Sequence, residues 1–207
     1  MKITHLCDYL PFTHKVWGGA EQAAFRLMKL LDEKGYRQIV FVSRDNALSK
    51  NAQPLSSGRI KFLRSLKSCG PLSRFLEKLY LNHLKEYWLS FDIVSFFHSL
   101  FYFLKIKTGI LIVHNCRVLS LAPVLAASLL RIPVVYLVYD YWCLCPETML
   151  IDSNNKRCRK FHGEHCLFCR GLQNSRRRRI YSLRKKLFDF VFARISKFVV
   201  LSQASSW

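Results

Sequence analysis

Short apolar segments that alternate with helical patterns constrain the fold of this chain more than any other feature. Continuous apolar runs of this length are typical of strands buried on both faces of a parallel sheet. The predicted strands cover residues 2–7, 38–42, 60–63, 110–113, 133–139 and 198–201. Alternation of such strands with helices predicts an α/β fold: a single Rossmann-like, doubly wound parallel sheet with helices on both faces.

The first predicted helix is the clearest of those between the strands. It opens at Gly18-Gly19 and ends at Gly35, because glycine is the residue that most readily terminates a helix. Its apolar residues recur at helical spacing, which gives it one apolar face. The further helices are expected over residues 72–89, 93–105, 121–130 and 175–193.

One long uncharged stretch has to be distinguished from a membrane span. Between Val118 and Tyr139 the only charge is Arg131, and Pro133 follows it closely. A helix that ends near residue 130, followed by a buried strand, explains this pattern better than a single spanning helix. The N-terminal residues lack the features of a signal peptide, because His5 and Asp8 interrupt the apolar run. A cytoplasmic location with reduced cysteines is therefore expected.

The charge balance predicts a polyanionic partner. Lys and Arg number 33 against 13 Asp and Glu, a net charge of +20, and much of the excess lies near the basic helix at 175–193. On that helix basic residues, among them Arg184, Lys185 and Lys186, are expected on one side and apolar residues on the other. This division suits an anionic membrane surface, although an ordinary amphipathic helix with a solvated basic face has the same pattern. Nucleic acid is disfavoured, because no interleaved exposed aromatic residues or groove-reading motif is evident.

A cysteine-rich segment over residues 140–170 is expected to form an irregular loop. Four cysteines with one C-x-x-C pair could hold a structural zinc ion: Cys145, Cys158, Cys166 and Cys169. Other potential ligands compete with them, namely Cys143, His162 and His165. The alternative is a set of reduced thiols on the same loop.

Residues that could bind a ligand lie at or after the ends of three of the predicted strands. They are Gly18, Gly19 and Glu21 after the first strand, His114 and Asn115 after the fourth, and Tyr139 and Asp140 after the fifth. In doubly wound sheets ligands bind beyond the carboxyl ends of the strands, so these residues are expected to face one cleft. A dinucleotide fingerprint needs three spaced glycines, and their absence disfavours NAD.

These residues resemble a known family. Gly18-Gly19-Ala20-Glu21, His114-Asn115, Ile132-Pro133-Val134-Val135, Asp140-Tyr141-Trp142 with Cys145-Pro146, and Val199-Val200-Leu201-Ser202 are similar to the N-terminal domain of family 4 glycosyltransferases. The resemblance implies one half of a GT-B fold, in which two Rossmann-like domains face each other across a cleft. It also implies sugar transfer with retention, from a nucleotide-sugar held mainly by the C-terminal domain, with no metal cofactor for the chemistry.

The resemblance implies roles for individual residues. Gly18 and Gly19 would lie beside the donor phosphates, and His114 and Asn115 would line the acceptor side. Tyr139 stands before Asp140 where the family commonly has a histidine that can touch the sugar.

The family's donor-binding domain, with its pair of glutamates, is not found in residues 1–207, so we expect an acceptor-side domain from a truncated, split or degenerating enzyme. Its substrates would be a nucleotide-sugar and a glycan or lipid-linked acceptor, and the chain could lie on the inner face of the membrane. Whether it is active alone stays open. The alternative function is a non-catalytic, zinc-ordered basic module that binds anionic membrane or nucleic acid.

Overall fold

The computed structural model describes most of the chain. The described residues are 1–44, 47, 48, 55, 58–63, 91–142, 145, 148, 150–152, 154–159, 166–169 and 175–200. Of residues 167, 168 and 175–181 only the helical backbone is described. The helix predicted at residues 72–89 lies outside this set.

Six parallel strands form one sheet in the order β3-β2-β1-β4-β5-β6. They are β1 (Lys2–Leu6), β2 (Arg37–Val42), β3 (Gly58–Phe62), β4 (Ile110–Val113), β5 (Val134–Val138) and β6 (Lys197–Val200). This order is that of a doubly wound Rossmann-like sheet, so the predicted fold class is confirmed. Each predicted strand lies within two residues of its observed position at both ends.

Four of the described helices lie close to their predicted positions, and the fifth is a short helix inside the segment that was predicted to be irregular. They are α1 (Gly19–Glu33), α2 (Ile93–Ile106), α3 (Ala122–Leu129), the short α4 (Cys166–Cys169) and α5 (Ser175–Phe192). Gly35 follows α1 with a φ of 75°, and the backbone N–H of Tyr36 donates to the carbonyl of Leu31. Since glycine adopts this left-handed conformation without strain, Gly35 ends α1 as predicted.

The two faces of the sheet carry separate apolar cores. On one face α1 packs over β2 and β3; its core residues include Ala24, Phe25, Met28, Val40 and Val42. On the other face α2, α3 and α5 pack together; this larger core includes Leu6, Phe41, Phe103, Leu111, Val124 and Phe188. Helices therefore cover both faces, as expected for a doubly wound sheet.

The long uncharged stretch divides into a helix and a strand. α3 ends at Leu129, the chain turns through Arg131 with a φ of 55°, and β5 begins at Val134. Pro133 precedes the strand and cannot continue a helix. In the part of the chain that the structure describes, no helix has the length and apolar character needed to cross a membrane.

The strand order defines where a ligand would bind. β1 pairs with β2 on one side and with β4 on the other, so the chain direction across the sheet reverses between β1 and β4. In doubly wound sheets the connecting loops diverge at such a reversal, so a ligand crevice is expected beyond the carboxyl ends of these two strands. The loops after β1 and β4 carry Asp8 and Asn115 at this position.

Candidate functional site

A chain of buried hydrogen bonds runs towards the carboxyl edge of the sheet. Gln38 Nε2 donates to the carbonyl of Met28 over 2.9 Å, and Gln38 Oε1 lies 2.9 Å from His5 Nε2. His5 Nδ1 lies 2.9 Å from His114 Nε2. His114 Nδ1 lies 3.1 Å from the hydroxyl of Tyr139. These contacts connect the interior of the α1 face with a tyrosine at the end of β5.

Strand register explains why these side chains meet. His5 on β1 pairs with Ile112 on β4, and His114 lies two residues beyond Ile112. On the other side, Ile3 pairs with Gln38 of β2. Alternate residues of a strand share a face, so His5, Gln38 and His114 all point to the α1 side of the sheet.

Burial keeps both histidines neutral. It lowers the pKa of His5 to about 4, although the hydrogen bond to Gln38 opposes this shift. Burial, followed by the charge of neighbouring His5, places the pKa of His114 well below its ordinary value. Two adjacent imidazoles in an apolar interior therefore act as neutral donors and acceptors rather than as cations.

Asp8 joins the end of β1 to the loop before α3. Its Oδ2 accepts the backbone N–H of Val118 and its Oδ1 accepts that of Leu119, each over 2.9 Å. Burial raises the pKa of Asp8 to about 7, against the opposing effect of these two hydrogen bonds. The carboxyl group thus holds the loops on the two sides of the crevice together.

The first turn of α1 presents an exposed glycine pair to the crevice. The Glu21 carboxylate accepts the N–H of Gly18 over 2.8 Å, which is one half of a capping box. A Cβ on Gly18 would lie 3.3 Å from that carboxylate, whereas a Cβ on Gly19 would meet nothing within 4 Å. Neither packing nor a positive φ explains glycine at position 19.

The electrostatic influence of Glu21 indicates that the first turn of α1 lies near the ends of β1 and β5. The carboxylate of Glu21 contributes to the raised pKa values of Cys7, Asp8 and Tyr139, with burial as the largest cause for each. Such effects need the groups to be near one another in a medium of low dielectric constant. The first turn of α1 and the ends of β1 and β5 therefore border one site.

The structure brings most of the sequence-predicted residues to this site. Gly18, Gly19 and Glu21 lie at the start of α1, and His114 contacts Tyr139. Asn115 and Asp140 follow the ends of β4 and β5 and also form hydrogen bonds within their own loops: Asn115 Oδ1 accepts the N–H of Arg117 over 3.2 Å, and Asp140 Oδ1 accepts that of Trp142 over 2.9 Å. The hydrogen bond to Asp140 fixes the backbone of Trp142, and the ring of Trp142 packs against Phe188 in the core with ring centroids 5.2 Å apart.

Sequence reasoning missed three residues of the site: His5, Asp8 and Gln38. His5 and Gln38 carried a usable signal, since each is a polar residue in an apolar strand of a sheet covered on both faces. A buried polar group needs a partner, so two of them on strands that pair indicate a shared hydrogen-bond network. The bonding of Asp8 to Val118 and Leu119 depends on loop geometry that no local pattern indicates.

The four predicted zinc ligands are all described. Cys145 and Cys166 are buried, Cys158 and Cys169 are partly exposed, and none of the four forms a disulfide. Within the described ranges no three His, Cys, Asp or Glu side chains lie together as a metal site would need. The competing ligands predicted above, Cys143, His162 and His165, lie outside the described residues. Structural zinc therefore stays a prediction.

The basic helix α5 differs from its expected division into one basic and one apolar side. Arg184 is buried, with its guanidinium 4.7 Å from the centre of the Phe188 ring. Leu183 and Phe190 are instead exposed, to 56% and 45%. The prediction that Arg184 belongs to the basic face was wrong, because a guanidinium can stack on an aromatic ring inside a core.

Neither protein families nor curated proteins provide a relative for this chain. No model of a protein family matches it, and no curated protein is significantly similar to it. A functional assignment therefore has to come from the site itself and from the motifs that the sequence carries.

Proposed function

We propose that this chain forms the acceptor-side domain of a retaining glycosyltransferase that uses a nucleotide-sugar donor. The observation that carries the proposal is the meeting of the α1 N-terminus with the ends of β1, β4 and β5 at the reversal point of the sheet. The sequence motifs that resemble family 4 glycosyltransferases supply three of these four regions. Fold order and motif placement thus support the same cleft.

The polar groups at the site suit a neutral, hydroxyl-rich ligand. Tyr139 and His114 are uncharged, and the side-chain amide of Asn115 can both donate and accept hydrogen bonds. The Glu21 carboxylate lies at the α1 N-terminus, where its charge weakens the attraction of that terminus for phosphate. This balance favours an acceptor glycan over the phosphates of a donor.

Gly19 adds support for close approach of a ligand. The space beside its Cα is open, its backbone has no positive φ, and it begins a helix where alanine would be the better helix former. The absence of a side chain is therefore most useful to a group that contacts the backbone itself.

The test is a binding map with neutral oligosaccharides, recorded as amide and side-chain NMR shifts of the full chain. We expect shifts at Gly19, His114, Asn115 and Tyr139. Asn115→Ala should weaken binding several-fold, whereas Asn154→Ala, which changes an exposed loop amide, should leave it unchanged. Shifts confined to other surfaces, or equal effects of the two variants, would contradict the proposed acceptor site.

A second proposed property is contact with an anionic membrane surface through α5. Leu183 and Phe190 are exposed and lie two helical turns apart, and the guanidinium of Arg194 lies 3.5 Å from the centre of the Phe190 ring. Lys185 and Lys186 are exposed on the same helix. Apolar side chains next to cations suit the boundary between headgroups and acyl chains, where a lipid-linked acceptor would be found.

A further inference from the structure

The direction of each hydrogen bond in the buried chain can be assigned from its inner end. The carbonyl of Met28 can only accept, so the Gln38 atom beside it must be the amide nitrogen. The other end of that amide is then the carbonyl oxygen Oε1, which can only accept. His5 must therefore donate to Gln38 from Nε2.

The same reasoning continues through both imidazoles. A neutral His5 protonated on Nε2 has an unprotonated Nδ1, so His114 must donate to it from Nε2. His114 is then unprotonated on Nδ1, and the Tyr139 hydroxyl must donate its proton there. The lowered pKa values of the two histidines agree with neutral rings throughout.

This direction fixes what Tyr139 can offer to a ligand. A phenol has one proton, and that proton is directed inwards to His114. Tyr139 is half-buried and follows β5 at the carboxyl edge, where ligands of doubly wound sheets bind. The hydroxyl oxygen of Tyr139 can therefore offer a ligand at that edge only a lone pair, which accepts a hydrogen bond and cannot donate one.

We propose that Tyr139 is a specificity-determining residue that accepts a hydrogen bond from a sugar hydroxyl and that His5, Gln38 and His114 are the positioning residues that hold it in this state. The chemical class of the ligand rests on the proposed function, whereas the orientation of the hydroxyl does not. The ionised phosphates of a nucleotide-sugar carry no proton and can only accept, so the arrangement discriminates against them at Tyr139. The donor phosphates and the acceptor sugar would accordingly be separated within the cleft.

The orientation is tested by imidazole ¹⁵N NMR of the full chain at neutral pH. We expect both His5 and His114 as neutral tautomers protonated on Nε2. In Tyr139→Phe, the Nδ1 resonance of His114 should move towards that of an imidazole nitrogen without a hydrogen-bond partner. A His114 protonated on Nδ1, or a charged His114, would overturn the inference without any ligand being needed.

The specificity is tested with methyl glucoside and dimethyl phosphate as probes, because an ionised phosphodiester carries no proton to donate. Methyl glucoside should shift the His114 Nδ1 resonance in the wild-type chain and not in Tyr139→Phe, and dimethyl phosphate should shift it in neither. A response to dimethyl phosphate, or an equal response to methyl glucoside in both chains, overturns the role of Tyr139. Shifts at Asn115 without shifts at His114 overturn this inference alone. No shift at either residue with any neutral sugar overturns the proposed function as well.

Discussion

At the scale of single residues, burial changes ionisation in opposite directions at neighbouring positions. It raises the pKa of Asp8 to about 7 and lowers that of His5 to about 4, because both shifts favour the neutral form. Both residues lie at the end of β1, three positions apart in the sequence. The site is therefore built mainly from neutral hydrogen-bonding groups near neutral pH.

The raised pKa of Asp8 predicts how stability depends on pH. In the unfolded chain the carboxyl has its ordinary pKa of 3.8, so between about pH 4 and about pH 7 the folded state binds the proton that the unfolded state lacks. As pH falls from about 8 to about 5, the wild-type chain should gain on the order of 2 kcal/mol relative to Asp8→Asn. The comparison at each pH cancels the histidine contributions, which both chains share.

The measurement is urea unfolding of both chains at several pH values. Asp189→Asn, which alters an exposed carboxylate on α5, is the control and should show a much smaller change with pH. A constant difference between the wild type and Asp8→Asn, or one that shrinks as pH falls, would show that Asp8 is not a buried, largely protonated acid.

Gln38 gives a second prediction at this scale. Gln38→Met keeps the size of the side chain but leaves the Met28 carbonyl and His5 Nε2 without their partner. Unsatisfied buried groups cost about 1–3 kcal/mol, so the free energy of unfolding should fall by roughly this amount. Gln22→Met, on the exposed side of α1, makes the same exchange without burial and should change stability little. Equal effects of the two substitutions would mean that the buried chain contributes nothing.

At the scale of elements, the sequence predicted what depends on local pattern. β4 lies at its predicted residues, Gly35 ends α1 with a positive φ, and Pro133 separates α3 from β5. Of the predicted site residues, His114 contacts Tyr139 across the ends of β4 and β5, whereas the binding role of the set stays a prediction. The buried contacts of His5 with Gln38 and His114 could not be predicted in the same way, because they follow from which strands pair and in which register. The prediction for Arg184 on α5 was wrong for a related reason, since the burial of its side chain depends on contact with the ring of Phe188.

The cysteine-rich segment over residues 140–170 leads to a prediction about bound zinc. α4 begins at Cys166 and ends at Cys169, a C-x-x-C pair on one short helix. If the segment holds zinc with Cys145 and Cys158, purified chain should contain about one zinc ion per chain. Cys166→Ser combined with Cys169→Ser should remove the metal, whereas Cys116→Ala, at a core thiol, should keep it. Elemental analysis that finds no zinc in chain purified without chelator would contradict the site.

At the scale of the whole molecule, the chain has a net charge of +20, but the groups at the strand-end site are buried acids and neutral side chains. We therefore expect the basic residues and the proposed ligand site to bind different partners. On the basic helix α5, the exposed side chains of Leu183 and Phe190 could make apolar contacts with a membrane surface.

Membrane contact through α5 predicts a salt-dependent association with vesicles. Binding to anionic vesicles should weaken between low and physiological salt, because screening at physiological salt limits the range over which exposed charges interact to about 8 Å. Leu183→Ser with Phe190→Ser should weaken binding at both salt concentrations, since apolar insertion is lost. The sedimented fraction of protein measures both effects. Equal binding to neutral vesicles, or no effect of the double substitution, would contradict this contact.

The most direct test of the central claim is calorimetric titration of the 207-residue chain with nucleotide-sugars, together with a product assay. An acceptor-side site offers a donor only the α1 terminus, which supplies about 1–2 kcal/mol, whereas millimolar affinity already needs about 4 kcal/mol. We therefore expect neither measurable donor binding nor sugar transfer by this chain alone, under conditions in which neutral oligosaccharides shift His114 and Tyr139. Micromolar affinity for a nucleotide-sugar, or turnover by residues 1–207 alone, would contradict the account.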